Sequence, residues 1–341
     1  MRYALWLAII SMVVSLISTP IVRKLAIKAN AVDIPKDERR VHKKPIPLLG
    51  GLAIYVSFII GVIFQKTPLR TSEIGIILGA TIILIGGVWD DVKELKPVYK
   101  LLFQLAGTIV LIIFGINISL ITNPFTSKEL FLNVGFLSIP LTILWIIGVT
   151  NAFNLIDGLD GLSAGIGFIA SATLFVISIM NNRYETAIMT AILGGALLGF
   201  IPYNFNPASI FMGDAGSQLI GFLLAAISIK GAIKSATAFS LAVPILAFGL
   251  PIYDTIFAMI RRKINGKPMM QGDKGHLHHR LLRMGLSQKQ AVLIMYLISF
   301  ILGVVSVIAM KMSSQRSYFL TTSVIVLIVL VAWKSGFFKN Q

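Results

Sequence analysis

The stretch IGIILGATIILIGGVWDD, residues 74–91, decides the class of fold, because a long run of apolar or small residues ends abruptly in two aspartates. A helix of about 20 predominantly apolar residues crosses the hydrocarbon layer of a membrane. The stretch therefore predicts a membrane-spanning helix near residues 73–89, with Asp90 and Asp91 at its end. Apolar runs separated by short polar loops recur along the whole chain.

Composition supports the same class of fold. The chain has 341 residues, of which 56% are hydrophobic and only 13% are charged, whereas a soluble domain carries about 25% charged residues. We predict an all-α, polytopic membrane protein with one integral membrane domain over residues 1–341. The first apolar run lacks a clear cleavage site, so we expect a retained span rather than a signal peptide. The eleven candidate spans lie near residues 4–22, 48–65, 73–89, 98–116, 136–152, 162–180, 186–202, 216–230, 237–260, 290–310 and 318–334.

Lysine and arginine predict the orientation, because these residues are retained on the cytoplasmic side. With the N-terminus outside and the C-terminus cytoplasmic, 21 of the 30 basic residues fall inside. Eleven of the 14 acidic residues and all four histidines fall on the same side. The orientation rule makes no such demand on acids or histidines, so their concentration indicates a functional site at the cytoplasmic face. The cytoplasmic loops are predicted near residues 23–47, 90–97, 153–161, 203–215 and 261–289.

Net charge and missing motifs exclude several function classes. The chain has no cysteine, which excludes disulfides, thiol catalysis and cysteine-ligated metals. The net charge of +16 lies in short loops beside apolar helices. Anionic membrane lipids or anionic substrates are therefore expected as partners, and nucleic acid is not. The chain contains no GxxxxGK[ST] motif, so it is not a P-loop ATPase.

Two acidic motifs follow apolar runs. Asp90 and Asp91 stay ionised together only beside cations or a metal, and the alternative is a solvated helix end. In NAFNLIDGLDGLSAG, residues 151–165, polar residues recur at steps of three and would share one face of a helix; they are Asn151, Asn154, Asp157 and Asp160. Charged groups at the end of a span are costly unless they bind something. The alternative is a set of helix caps around a turn.

A third motif, YNFNPASIFMGDAGSQ at residues 203–218, contains Asn204, Phe211 and Asp214 and no basic residue. Its oxygen-rich surroundings suit Mg²⁺, which takes one or two carboxylates together with substrate phosphates. The alternative is that Asp214 is the N-cap of the following helix. The two interpretations are compatible.

A fourth motif, GDKGHLHHRL at residues 272–281, holds Asp273, His276, His278, His279 and Arg280. Its spacing is not HExxH, which disfavours zinc, and anion binding fits better than a solvated loop. Asp254 lies inside an apolar run, which indicates a functional site or a structural pair with Arg261. His42 and Lys44 precede two glycines and could hold phosphates, or could form a juxtamembrane basic cluster.

These motifs together predict one ligand that is multiply anionic, chelates metal and binds at the cytoplasmic face. With them in view, the chain resembles the polyprenyl-phosphate N-acetylhexosamine-1-phosphate transferases of glycosyltransferase family 4. The resemblance rests on four motifs in family order, and it covers most of the chain. They are the Asp-Asp pair before a Lys-rich stretch, NxxNxxDGxDG, FMGDxGS and HxHH, where this chain reads HLHH rather than HIHH.

The resemblance implies transfer of a sugar-1-phosphate from a UDP-sugar to a membrane polyprenyl phosphate, with Mg²⁺ (or Mn²⁺) and release of UMP. It implies a multi-pass protein of the bacterial plasma membrane, in some members a homodimer, with its site on the cytoplasmic face. Asp214 and Asn154 are expected to ligate the metal, and Asp90, Asp91 and Asp157 to be catalytic. Substrate contacts are expected from Lys44, Lys100, Asn151, Asn204, Phe211, His276, His278, His279 and Arg280.

Two branches of the family remain open. GHLHHRLL and the position of Asp254 ahead of Arg261 favour the branch that uses UDP-N-acetylglucosamine and undecaprenyl phosphate and that initiates envelope polysaccharides such as teichoic acid. The alternative branch uses UDP-N-acetylmuramoyl-pentapeptide in peptidoglycan synthesis. A cation-coupled transporter is a rival class, but it predicts acids deep in several spans, and only Asp254 fits that description.

Overall fold

The computed structural model describes residues 1–35, 44–122, 131–232, 242–266, 275–312, 314–335 and 337, and these residues fold mainly as helices. The helices are α1 (Arg2–Lys28), α2 (Gly50–Ile63), α3 (Thr71–Lys93), α4 (Pro97–Ile113), α5 (Ser138–Ile156), α6 (Leu162–Met180), α7 (Tyr184–Asn204), α8 (Gly213–Ala232), α9 (Ala242–Ala247), α10 (Gly249–Ile264), α11 (Leu277–Arg283), α12 (Gln288–Lys311) and α13 (Ser314–Lys334). Two antiparallel two-stranded sheets pair β1 (Val32–Asp33) with β2 (Ile46–Pro47), and β3 (Leu120–Thr122) with β4 (Phe131–Asn133).

The helices are those of a polytopic membrane protein. Among the described residues, seven helices are long and apolar enough to cross a membrane, namely α1, α3, α5 with the turn before it, α6, α7, α12 and α13. α2 and α4 are apolar but shorter. A helix lies in each of the eleven predicted spans. Large apolar side chains such as Trp6, Phe300 and Trp333 are exposed on α1, α12 and α13, as expected for surfaces that face lipid.

One predicted span is broken. A single helix was expected over residues 237–260, but the described part divides into α9 and α10 at Phe248. Pro251 explains the break, because it has no N–H to donate to the carbonyl of Ala247 and its ring would clash with that carbonyl. In the first turn of α10 the same residue is tolerated, because N–H groups there have no partner within the helix.

The expectation that four polar residues share one helical face is also wrong in part. α5 ends at Ile156, so Asn151 and Asn154 lie on the helix while Asp157 and Asp160 lie in the turn beyond it. Gly161 at the start of α6 has a φ of +79°, a left-handed conformation that favours glycine. The two asparagines are therefore held by the helix, and the two aspartates are held by the turn that follows it.

Helix α8 lies at the centre of the bundle and packs against α2, α3, α5, α6 and α7. Its contact with α3 is close because α3 presents glycines. A Cβ at Gly79 would lie 2.6 Å from the ring of Phe222, and one at Gly87 would collide with the backbone of Ala215. The order of these contacts shows that α3 and α8 run antiparallel.

The start of α2 is joined to the segment that precedes α8. The amides of Gly50 and Gly51 donate to the carbonyls of Phe211 and Met212 at 3.0 and 2.9 Å, and the amide of Phe211 donates to Pro47 at 2.8 Å. These bonds satisfy amides at the start of α2, which have no partner within the helix. They hold the segment before Asp214 against the same end of the bundle as Asp90.

We expect Gly87→Ala to destabilise the protein, because the added methyl group would meet backbone atoms of α8. Overpacking of this kind costs about 1–3 kcal/mol. Thermal unfolding in detergent, followed by circular dichroism, measures the effect. Gly148→Ala on α5 is the matched control, because nothing lies within 4 Å of the added Cβ. Equal unfolding temperatures for the two variants would contradict the packing described here.

Candidate active site

A cavity of about 700 Å³ opens at the end of the bundle where α3 and α5 end and α8 begins. This volume lies within the range of about 300–1,000 Å³ that is typical of small-molecule sites. Seven acidic residues line it together with the basic residue Lys93; the acids are Asp33, Asp90, Asp91, Glu94, Asp157, Asp160 and Asp214. Asn154, Asn204, Phe211, His279 and Gln288 also line it. The cavity therefore brings together residues from three of the four motifs and one residue of the fourth.

Asp91 caps the first turn of α8. Its carboxylate accepts hydrogen bonds from the amide of Asp214 at 2.7 Å and from that of Ala215 at 3.2 Å. A carboxylate at the N-terminus of a helix is stabilised by the helix dipole as well as by these bonds. Gly213 allows the approach, because its φ is +70° and a Cβ there would collide with the Asp91 carboxylate.

Lys100 lies between the carboxylates of Asp90 and Asp214. Its Nζ is 2.6 Å from Asp90 Oδ2 and 2.7 Å from Asp214 Oδ2. The other oxygen of Asp90 accepts the amide of Leu95 at 2.6 Å. One carboxylate oxygen from each of Asp90, Asp91 and Asp214 falls within 4.8 Å of the other two. These three aspartates, the carboxylate trio, could hold a divalent cation.

A chain of hydrogen-bonded amide side chains leads to Asp214, one member of the trio. Gln218 donates to Asp214 Oδ2 at 3.1 Å, Gln104 donates to Gln218 at 2.9 Å, and Asn151 donates to Gln104 at 2.8 Å. Asn154 donates to Ser217 at 2.9 Å. The motif analysis did not single out Gln104 or Gln218, although each is a polar amide directly followed by apolar residues, which was a signal.

The turn after α5 supplies two further carboxylates. Asp160 is buried and accepts hydrogen bonds from Asn206 Nδ2 and from the amide of Ala208, both at 3.0 Å. Burial, followed by the charges of Asp214 and Asp160, raises the pKa of Asp157 to about 8. Without a cation in the cavity, Asp157 is therefore largely protonated at neutral pH. A bound cation would oppose this shift.

Asn204 and Phe211 lie on another part of the cavity wall. The Asn204 amide donates to the carbonyl of Ile210 at 3.0 Å. Its Oδ1 is buried and has no hydrogen-bond partner among the described residues. A buried acceptor without a partner is costly, so this oxygen is suited to a donor group on a ligand.

The histidine motif divides between the cavity and the structure behind it. His279 lines the cavity, while His276 Nδ1 lies 2.7 Å from Asp254 Oδ2, and Asp254 Oδ1 accepts the amide of Leu277 at 2.9 Å. His278 packs against Gly158, and burial, with the nearby His279 and His276, lowers its pKa to about 3 despite the opposing charge of Asp254. His278 is therefore neutral at physiological pH.

Several expected substrate contacts lie outside the described cavity wall. Arg280 donates to the carbonyls of Gly275 and Phe337 at 3.0 and 2.7 Å. Lys44 is exposed. Lys100, Asn151, His276, His278 and Arg280 are not among the residues that line the cavity, and the substrate roles expected for them and for Lys44 stay predictions. His42 and Asp273 lie outside the described residues.

The donor set of the trio fits magnesium. Mg²⁺ prefers oxygen ligands and usually takes one or two carboxylates together with water and phosphate oxygens. Asp90, Asp91 and Asp214 offer such oxygens, and Asn154 lines the same cavity. Fold and site together define an integral membrane protein with a carboxylate-rich site suited to a metal and an anionic ligand.

Comparison with known proteins establishes the family. Residues 73–232 match the family model described as glycosyl transferase family 4. The chain is 40% identical over 333 residues to the probable undecaprenyl-phosphate N-acetylglucosaminyl 1-phosphate transferase of Bacillus subtilis, an alignment that covers 98% of this chain and 92% of that protein. The chain therefore belongs to glycosyl transferase family 4, and the resemblance drawn from its motifs is confirmed.

Two more distant relatives agree with this assignment. The decaprenyl-phosphate N-acetylglucosaminephosphotransferase of Mycolicibacterium smegmatis is 35% identical over 312 residues, which cover 84% of this chain and 77% of the relative. The undecaprenyl-phosphate alpha-N-acetylglucosaminyl 1-phosphate transferase of Escherichia coli K12 is 28% identical over 318 residues, 91% of this chain and 84% of that protein.

Asp214→Ala should weaken binding of Mn²⁺, used as a spectroscopic probe for the metal, by more than about tenfold. Loss of a residue that only hydrogen-bonds to a metal ligand lowers metal affinity about 10–100-fold, and loss of a direct ligand should lower it at least as much. Electron paramagnetic resonance of free Mn²⁺ gives the affinity. Asp160→Asn is the control, because Asp160 lines the same cavity but lies outside the trio. Unchanged affinity in Asp214→Ala would exclude Asp214 as a ligand.

Proposed function

We propose that the protein transfers N-acetylglucosamine-1-phosphate from UDP-N-acetylglucosamine to undecaprenyl phosphate, with Mg²⁺ as cofactor. The products are undecaprenyl-diphosphate-N-acetylglucosamine and UMP. This reaction initiates the synthesis of a cell-envelope polysaccharide such as teichoic acid. Support comes from the family, from the three relatives, whose names all specify transfer to a polyprenyl phosphate, and from the site.

The observation that carries the proposal is the carboxylate trio with Lys100 at the end of an apolar bundle. A diphosphate would be repelled from a cavity lined by so many carboxylates unless cations lay between them. Lys100 supplies one positive charge, and a metal held by Asp90, Asp91 and Asp214 would supply two more. The position at the end of the spans suits a reaction between a soluble nucleotide and a lipid phosphate.

In the proposed step, an oxygen of the lipid phosphate attacks the β-phosphorus of the UDP-sugar. The bond from that phosphorus to the bridging oxygen breaks, and UMP leaves with the bridging oxygen. A phosphate monoester has a second pKa near 6, so the attacking oxygen needs little help from a base. We therefore assign Asp90 and Asp91 mainly to orientation of the acceptor phosphate and to placement of the metal.

When bound, Mg²⁺ would neutralise charge on the phosphate oxygens and orient them. Asp214 and Asn154 are its proposed principal ligands. Lys100 contacts both Asp90 and Asp214, and in the proposed complex it would exchange one of these contacts for a phosphate oxygen. Gln218 would keep Asp214 in place during that exchange, because it donates to the same oxygen as Lys100.

The wall formed by Asn204 and Phe211 is the proposed site for uridine. The free Oδ1 of Asn204 can accept the N3–H of uracil, and the Phe211 ring offers a face for stacking. His279 is placed to contact the diphosphate or the sugar. The same role is proposed for Lys44, Asn151, His276, His278 and Arg280. Asn151 would act through the amide side chains that lead to Asp214, and the other four would act through a change in their position.

Two chemical alternatives remain. A double displacement would use Asp157 or Asp214 as a covalent nucleophile and would release UMP before the lipid phosphate reacts. The donor could also be UDP-N-acetylmuramoyl-pentapeptide, although the names of the three relatives specify N-acetylglucosamine. Strict dependence of UMP release on lipid phosphate favours the single step.

The proposed arrangement in the membrane has eleven spans within one domain, the N-terminus outside and the C-terminus cytoplasmic. The cavity then opens at the cytoplasmic face of the bacterial plasma membrane. Basic loops on that face would contact anionic lipids. A homodimer is the proposed oligomeric state, by analogy with the family.

Purified protein with Mg²⁺, undecaprenyl phosphate and labelled UDP-N-acetylglucosamine should form a lipid-linked label and release UMP. Asp214→Ala should lower the rate by at least about 10²-fold, as expected when charge stabilisation in a transition state is lost, and should remain folded. The donor bearing the muramoyl-pentapeptide should give no product. A folded sample that forms no labelled lipid would refute the proposed function.

Topology can be tested by labelling, because the natural chain has no cysteine. Phe136 and Met284 are exposed to 88% and 77%, respectively, and lie on opposite sides in the proposed arrangement. In intact cells, an impermeant maleimide should label Phe136→Cys but should label Met284→Cys only after permeabilisation. The reverse pattern would invert the proposed orientation.

A further inference from the structure

A second buried ion pair lies at the end of the bundle opposite the cavity. Lys230 Nζ, near the end of α8, is 2.8 Å from Glu73 Oε1, in the first turn of α3. Both side chains are almost completely buried, with exposed fractions of 9% for Lys230 and 4% for Glu73. A buried charge requires a partner, so each residue strongly constrains the position of the other.

Glu73 is also held by its own neighbourhood. Its other carboxylate oxygen accepts the amide of Arg70 at 3.0 Å and the side chain of Gln65 at 3.3 Å. Lys230 has a second and longer contact, 3.4 Å, with Glu185 on α7. The pair Glu73–Lys230 is an ion pair that links α3 directly to α8 at this end of the bundle.

The same two helices carry the carboxylate trio at their other ends. Seventeen residues separate Glu73 from Asp90 along α3, and sixteen separate Asp214 from Lys230 along α8. At a rise of 1.5 Å per residue these separations are about 26 and 24 Å. The antiparallel helices α3 and α8 are therefore joined by charged side chains at both ends, and the distance between the two ends is nearly the same along each helix.

Between the two ends, α3 and α8 are in close van der Waals contact. Gly79 faces Phe222 and Gly87 faces Ala215, which allows a close approach but supplies no directional bond from side chain to side chain. A shift of α8 by one residue along its axis would move Asp214 by about 1.5 Å. A displacement of about 1 Å at a reacting group can cost about 10²-fold in rate.

We infer that Glu73 and Lys230 are positioning residues that, together with the hydrogen bonds from the amides of Asp214 and Ala215 to Asp91, fix the axial register of α8 against α3, and thereby the spacing between Asp214 and the Asp90–Asp91 pair. They touch no substrate. The inference rests on the proposed metal-dependent function and adds residues at the far end of the bundle to the set on which the metal site depends.

Three variants test the inference. Lys230→Met removes the ammonium group but retains the length of the side chain, Glu73→Gln removes the opposite charge, and the double variant removes both charges. Replacing both partners of a buried pair by uncharged groups is often neutral for stability. The double variant therefore distinguishes an effect on the register of the helices from an effect on the stability of the protein.

Glu185→Gln is the matched control. It removes a carboxylate next to the same Lys230 but leaves the link between α3 and α8 intact, because Glu185 lies on α7. All variants are compared as folded protein in detergent. Mn²⁺ affinity is measured by electron paramagnetic resonance, and the Mg²⁺ concentration for half-maximal UMP release is measured in the transferase assay.

The double variant should unfold near the wild-type temperature, yet its Mn²⁺ dissociation constant and its half-maximal Mg²⁺ concentration should rise about tenfold, the scale for partners that orient metal ligands. Glu185→Gln should bind Mn²⁺ like the wild type. Wild-type affinity in the folded double variant would overturn the inference. If the wild-type protein binds Mn²⁺ but releases no UMP, the proposed function fails while the register inference is still decided by Mn²⁺ affinity.

Discussion

The structure depends on holding three carboxylates at the end of an apolar helix bundle. Asp90, Asp91 and Asp214 repel one another, and three different means offset the repulsion. The Lys100 ammonium lies between Asp90 and Asp214, the first amides of α8 donate to Asp91, and amide side chains donate to Asp214. The same three carboxylates could hold a divalent cation, which would connect the stability of the site with its proposed chemistry.

The same requirement explains why α8 occupies the centre of the bundle. Its first turn must reach the carboxylates at the end of α3, so the two helices must approach closely over their whole length. Gly79 and Gly87 allow that approach because a Cβ at either position would collide with α8. The cavity is thus formed by helix ends together with the turn after α5 and the segment before α8, and the spacing of its acids is decided by how these elements pack.

Much of the fold could be predicted from the sequence. Each of the eleven apolar runs contains a helix, because apolar length and the need to satisfy backbone groups in lipid leave few alternatives. The break before Pro251 and the end of α5 at Ile156 were missed. The first depends on the missing N–H of a proline and the second on the non-helical backbone of Asp157, which has a φ of −76° and a ψ of 56°; hydrophobic periodicity reports neither.

The sequence by itself determined that this is a membrane protein, that acidic motifs follow several of its apolar runs, and that its motifs belong to glycosyl transferase family 4. These conclusions follow from residue types and their order. Only the tertiary structure decided which polar residues meet. It placed Lys100 between Asp90 on α3 and Asp214 on α8, with Gln104 hydrogen-bonded to Gln218 beside them. It also placed His276 against Asp254 rather than on the described cavity wall. Such pairings depend on packing between segments distant in sequence, and no local pattern encodes them.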